Sequence, residues 1–217
     1  MIPNTVKIGP VIYRVEERDV VSKFAGRAGQ FESVESVLAV CSRLTPEQKA
    51  KTLWHEIIHA VVWQTGADRG PGISGWDEAI ACCYAAELLQ LCHGIDWRHG
   101  PPPATVGVCG VTYTVSVVAF VDKDDPAIDW DADLSEGWIA LRSGTPGFVM
   151  SCFLEAVLDL ADDYLHLKTP RDQRGRLATR FHQVLIDNPA LWEGQIPAER
   201  PSAHKRGRRK PAPDKAA

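Results

Sequence analysis

Apolar and polar residues alternate along VKIGPVIYRV (6–15) and again along VGVCGVTYTV (106–115), the period of a strand with one buried face. This pattern predicts strands over 5–16 and 34–41 in the first half, and over 106–121 and 136–142 in the second. Between them the apolar spacing changes to that of a helix. Thr45-Pro46-Glu47 supplies an N-cap, a proline at the first helical position and an acid in the first turn. It predicts a helix running to about Gln64, with Gly66 to end it. A second helix is expected from Ser74 or Trp76 to about Cys92. Helices over 146–167 and 170–187 follow in the second half.

The element order repeats. Three prolines in HGPPPAT (99–105) punctuate the chain near its middle. Across that break Val6, Val11, Tyr13 and Val15 correspond to Val106, Val111, Tyr113 and Val115. ESVLAVCSRLTP (35–46) then lies over EGWIALRSGTP (136–146), LWHEIIHAV (53–61) over VMSCFLEAV (149–157), and 77–97 over 172–192, both ending in Trp. Four blocks in one order indicate a duplication. The expected fold class is α+β: two tandem domains, 1–98 and 104–197, each with strands first and then two packed helices. A tail, 198–217, lacks apolar periodicity and is expected to be disordered.

Within the first helical block stands KTLWHEIIHAVVWQTG (51–66). His55 and His59 are four apart and share a helix face, so two imidazoles can reach one cation. Glu56 sits beside them, placed to take a proton from water at that cation. Leu53, Trp54, Ile57, Ile58, Val61 and Val62 mark the helix as buried. Two histidines and a glutamate in such a helix need partners, because burying them unpaired costs free energy. A catalytic zinc uses three protein ligands. The third candidate is Glu78 in GWDEAIACC, the first turn of the next helix, with Asp77, His93 and His99 as rivals. An acid there also suits the helix dipole without any metal.

The second half serves as an internal control. In the blocks above His55 lies over Ser151, Glu56 over Cys152, His59 over Glu155 and Glu78 over Gln173, while Asp77 matches Asp172. All four proposed site residues change and the apolar scaffold persists. That predicts a single site, in the first half, and favours Glu78 over Asp77.

At HEIIH plus Glu78 the chain resembles gluzincin-type zincin metallopeptidases. A strand ending near VLAV, the helix TLWHEIIHAVV and the helix opening DEAIA resemble the compact ImmA/IrrE-like metallopeptidases of bacteria, phages and mobile elements. The resemblance covers about 30–92. It implies zincin-like domains, one zinc ion held by His55, His59 and Glu78, Glu56 as the catalytic base, and a protein or peptide substrate; that family is associated with cleavage of repressor proteins. Larger gluzincins often carry Asp four positions after the ligand glutamate, where this chain has Cys82. The competing expectation is a catalytically silent zincin-like module acting through its basic tail.

Charge divides the chain. The formal net charge is −4. The tail from 198 holds seven Lys/Arg against Glu199 and Asp214, which makes it +5 and leaves −9 for the body. The cluster at 205–210 (KRGRRK) allows a nucleic-acid contact but lacks interleaved aromatics. No signal peptide or membrane span is expected. Six cysteines without a CxxC pair read as reduced thiols of a cytoplasmic protein. DWDADLSE (129–136) lacks the glycine of a calcium loop and reads as a solvated acidic loop. Glu155, Asp159, Asp162 and Asp163 read as a polar helix face.

Overall fold

The computed structural model describes residues 2–19, 21, 27–66, 76–91, 95–167 and 169–192, with the side chains of Trp76, Asp77, Ala79, Ile80 and Cys83 outside the description. The basic tail, His93 and most of the segment joining the first two helices lie outside it as well.

The chain is α+β and is built twice. The first half runs β1 (Thr5–Ile8), β2 (Val11–Arg18), β3 (Gly29–Glu32), β4 (Val37–Cys41), α1 (Pro46–Thr65) and α2 (Trp76–Leu91). The second runs β5 (Thr105–Val108), β6 (Val111–Val118), β7 (Trp130–Asp133), β8 (Trp138–Arg142), α3 (Pro146–Leu165) and α4 (Arg171–Asp187), closed by a 3₁₀ turn at Pro189–Leu191. The sheets have the same order, β1-β2-β4-β3 and β5-β6-β8-β7. In each, the outer pairs are antiparallel and the central pair is parallel.

Two expected strands prove to be hairpins. The run 5–16 breaks at Gly9-Pro10 and 106–121 at Cys109-Gly110, where positive φ angles of 55° at Gly9, 49° at Cys109 and 82° at Gly110 make two-residue turns. The alternation passes through both turns because Ile8 pairs with Val11, and Val108 with Val111. Two short edge strands, β3 and β7, escaped the pattern. β7 corrects the reading of 129–136 as a loop: Trp130–Asp133 pairs along β8.

The helix limits match their signals. Thr45 accepts from the Gln48 N–H, Gln48 Oε1 accepts from the Thr45 N–H in return, and Gly66 caps the end at φ 66°. α1 lays Leu53, Trp54, Ile57, Ile58, Val61 and Val62 into the core against β3, β4 and α2. At roughly 1.5–3 kcal/mol for each large apolar side chain, this stripe holds the helix in place whatever its polar residues do. α3 repeats the arrangement against β7, β8 and α4. The halves also clasp each other: α4 packs on β1 and α1, and α2 on β5 and α3. Asn188 bonds both ways to the Lys7 backbone, at 2.7 Å each. One continuous buried core therefore spans both units.

The shared helix plan corrects the alignment of the copies. α1 and α3 both have twenty residues, both begin at Thr-Pro, and both end in a left-handed cap, Gly66 or His166. Equivalent positions are thus one hundred apart: His55 meets Glu155, Glu56 meets Ala156 and His59 meets Asp159. The earlier pairing with Ser151, Cys152 and Glu155 is slipped by one turn. A four-residue slip is nearly invisible to an apolar pattern of period 3.6, whereas the caps are not periodic. In either register the copy lacks the histidines.

Candidate metal centre

α1 brings His55 and His59 together as their spacing demands, with Nε2 atoms 3.0 Å apart. α2 crosses α1 so that its first turn reaches the same point. Glu78 Oε1 lies 3.4 Å from His55 Nε2, and Oε2 lies 3.3 Å from His59 Nε2. Bonds of about 2.0–2.1 Å to a tetrahedral zinc imply donor–donor edges of about 3.3–3.4 Å. The two imidazole–carboxylate edges, one to each Glu78 oxygen, match such an ion, the imidazole pair stands a few tenths of an ångström tighter, and the donor set of two imidazoles and a carboxylate suits the ion chemically. Both histidines are largely buried, while Glu78 is 64% exposed and forms the solvent side of the group.

The expected rivals separate. The side chain of Asp77 and the whole of His93 lie outside the described residues. His99 is exposed in the turn after Trp97, its N–H bonded to Asp96 Oδ1, and does not line the cleft. Tyr84 on α2 is fully buried and turns its hydroxyl toward Leu158 and Asp162 of the other half, away from the cleft.

Glu56 points from the next position of α1 toward β3 and is only 5% exposed. Burial, aided by the negative charge of Glu78, pushes its carboxyl up to about 8; the Phe31 backbone N–H and Arg27 pull in the other direction. Gly29, the first residue of β3, makes room for it. A Cβ built there would stand 2.4 Å from Glu56 Oε1 and 2.6 Å from Thr52 Cγ2. The cleft, about 700 Å³, is bounded by 27–31 on one side and by Lys51, Thr52 and the Glu78–Cys82–Ala85 face of α2 on the other.

Sequence reasoning missed Gly29, Phe31 and Arg27, which occupy a short edge strand and its approach. Cys82 was visible only as a departure from the larger gluzincins. The copy's acids prove less solvated than expected. Asp162 is 2% exposed and accepts the Thr169 N–H at 3.1 Å on each oxygen, with Arg174 Nη1 at 3.3 Å. Arg174 also pairs with Asp159. Asp163 alone of the four is exposed. Asp172, matched to Asp77 in sequence, pairs with Arg176 on the surface of α4. Among the described residues no helix is long and apolar enough to cross a membrane.

Comparison with protein-family models, curated proteins and solved structures returns no match.

Proposed function

We propose that this chain is a zinc-dependent peptidase with one active centre, in which His55, His59 and Glu78 hold the metal and Glu56 moves the proton. The observation that carries the reading is the meeting of Glu78 with the histidine pair, at tetrahedral-edge distances, beside a buried carboxylate. When bound there, zinc supplies a Lewis acid and makes water more acidic. Glu56 accepts the proton of the attacking water on a carboxylate oxygen and returns it to the leaving nitrogen. A cation at the three donors opposes the charge of Glu78 and favours the ionised, basic form of Glu56.

The substrate reading follows from the sheet. β3 is an edge strand, and its residues line the cleft. An extended peptide can add to such an edge through its main chain and bring a peptide bond to the centre. A protein or peptide substrate is therefore favoured, and a cytoplasmic setting suits a chain with this use of cysteine.

The test is metal analysis together with Glu56→Gln. Purified protein should carry about one zinc per chain, and His55→Ala should lose it. Glu56→Gln should keep the zinc while cleavage of a proteome-derived peptide mixture, read by mass spectrometry, falls about 10²–10⁴-fold. Zinc retained by His55→Ala, or cleavage untouched by Glu56→Gln, rejects the proposal.

A further inference from the structure

The carboxylate on α2 has a companion one turn along. Cys82 follows Glu78 by four positions, as His59 follows His55 on α1, so both helices carry a pair of ligating side chains at the spacing of one turn. Cys82 Sγ lies 3.7 Å from Glu78 Oε1. His55, Glu78 and Cys82 each place a donor atom within 4.8 Å of the others. Cys82 also lines the same cleft as the histidines and Glu56. Two crossing helices thus offer two imidazoles from one side, and a carboxylate and a thiol from the other.

We propose that Cys82 is a fourth protein ligand of the metal centre, so that the resting site is closed by the chain itself. The proposal rests on the metal reading above and changes its consequence. The thiolate is the ligating form, so the Sγ–metal bond forms as the Sγ–H proton passes to solvent. A soft sulfur donor biases the site toward zinc over hard cations such as magnesium and calcium. Four protein donors are the hallmark of a closed site, and three leave a position open for water. With Cys82 bound, water enters only when the thiolate leaves, so the thiolate competes with water for the metal and holds down the resting rate of cleavage.

Cobalt(II) titration of the full chain tests this without reference to activity, because thiolate bound to cobalt gives a near-ultraviolet charge-transfer band. The wild type should show that band, saturating at about one cobalt per chain. Cys82→Ser and Cys82→Ala should still bind cobalt but lose the band, whereas Cys83→Ser, its sequence neighbour, should retain it. Loss of outer-sphere partners alone lowers metal affinity about 10–100-fold, so removing a direct ligand should lower zinc affinity, by chelator competition, at least about tenfold. Cobalt bound at His55 and His59 with no thiolate band, or with a band indifferent to Cys82, overturns the fourth ligand and leaves the three-ligand centre standing. Cobalt that fails to bind, or binds equally well to His55→Ala, overturns both.

Discussion

In the first half Glu56 lies against Gly29; in the second, the corresponding positions hold Ala156 and Trp130. The correspondence is fixed by register, since Gly29 pairs with Val40 as Trp130 pairs with Leu141. A small strand residue beside a large helical acid has become a large strand residue beside a small helical one. Around that exchange the chemistry differs throughout. Where His55 faces Glu78, Glu155 faces Gly175, whose missing Cβ would stand 3.2 Å from its carboxylate. Trp130 carries Arg171 over its ring at 5.9 Å. Where His59 reaches Glu78, Asp159 pairs with Arg174. One backbone plan therefore supports a histidine cleft in one copy and an acid–arginine network in the other. The lesson is that the apolar stripe of the helix, not its polar residues, specifies the fold, which leaves the polar face open to different chemistry.

The comparison can be broken most severely at Asp162, which has Val62 as its counterpart. Asp162→Ala removes the acceptor for the Thr169 N–H and a partner of Arg174 inside the core. It should cost about 3–5 kcal/mol in urea unfolding, while the exposed neighbour Asp163→Ala stays within about 0.5 kcal/mol. Equal losses at both positions would show that the second half's network is not a buried one.

Glu56 should make the metal-free protein less stable as pH rises. Its carboxyl is raised from 4.5 to about 8, so across that window the folded chain retains a proton that the unfolded chain has lost. Stability is then highest below the unfolded value and falls until the folded group ionises. At about 1.4 kcal/mol per unit of displacement the total is on the order of a few kcal/mol. Thermal melts with chelator from pH 5 to 8.5 (roughly the window that linkage defines) should slope downward in the wild type, and the slope should be relieved in Glu56→Gln. A shared slope assigns the effect to other groups.

Gly29→Ala should cost about 1–3 kcal/mol through overpacking against Glu56 and Thr52. Combined with Glu56→Ala, which copies the second half's small helical residue, it should cost less than the two changes summed. Strict additivity would refute the size exchange. The smallest effect compares the caps. Thr45→Ala should lose about 1 kcal/mol, and more than Thr145→Ala, because only Thr45 has a reciprocating partner in Gln48.

Much of this was legible beforehand. Thr45-Pro46 and Gly66 marked the ends of α1, Thr145-Pro146 marked the start of α3, and the HEIIH spacing put both imidazoles on one face. The edge strands were not legible: GQFE and WDAD are too short and too mixed to show alternation, and they form because β4 and β8 offer an edge to pair with. The register of the copy was also misread, since one turn of helix looks much like the next until the caps are compared.

By itself the sequence determined what acts within a turn or two of chain: helix limits, the two stretches of strand alternation that open each half, the histidine pair and its glutamate. These depend on backbone geometry and on side chains three or four positions apart. Only the tertiary structure decided that Glu78 meets both histidines and Cys82 comes near His55, that Gly29 makes room for Glu56, and that the two halves share one core. Those contacts join residues remote along the chain, and their positions follow from how the apolar stripes of α1, α2, α3 and α4 bury one another.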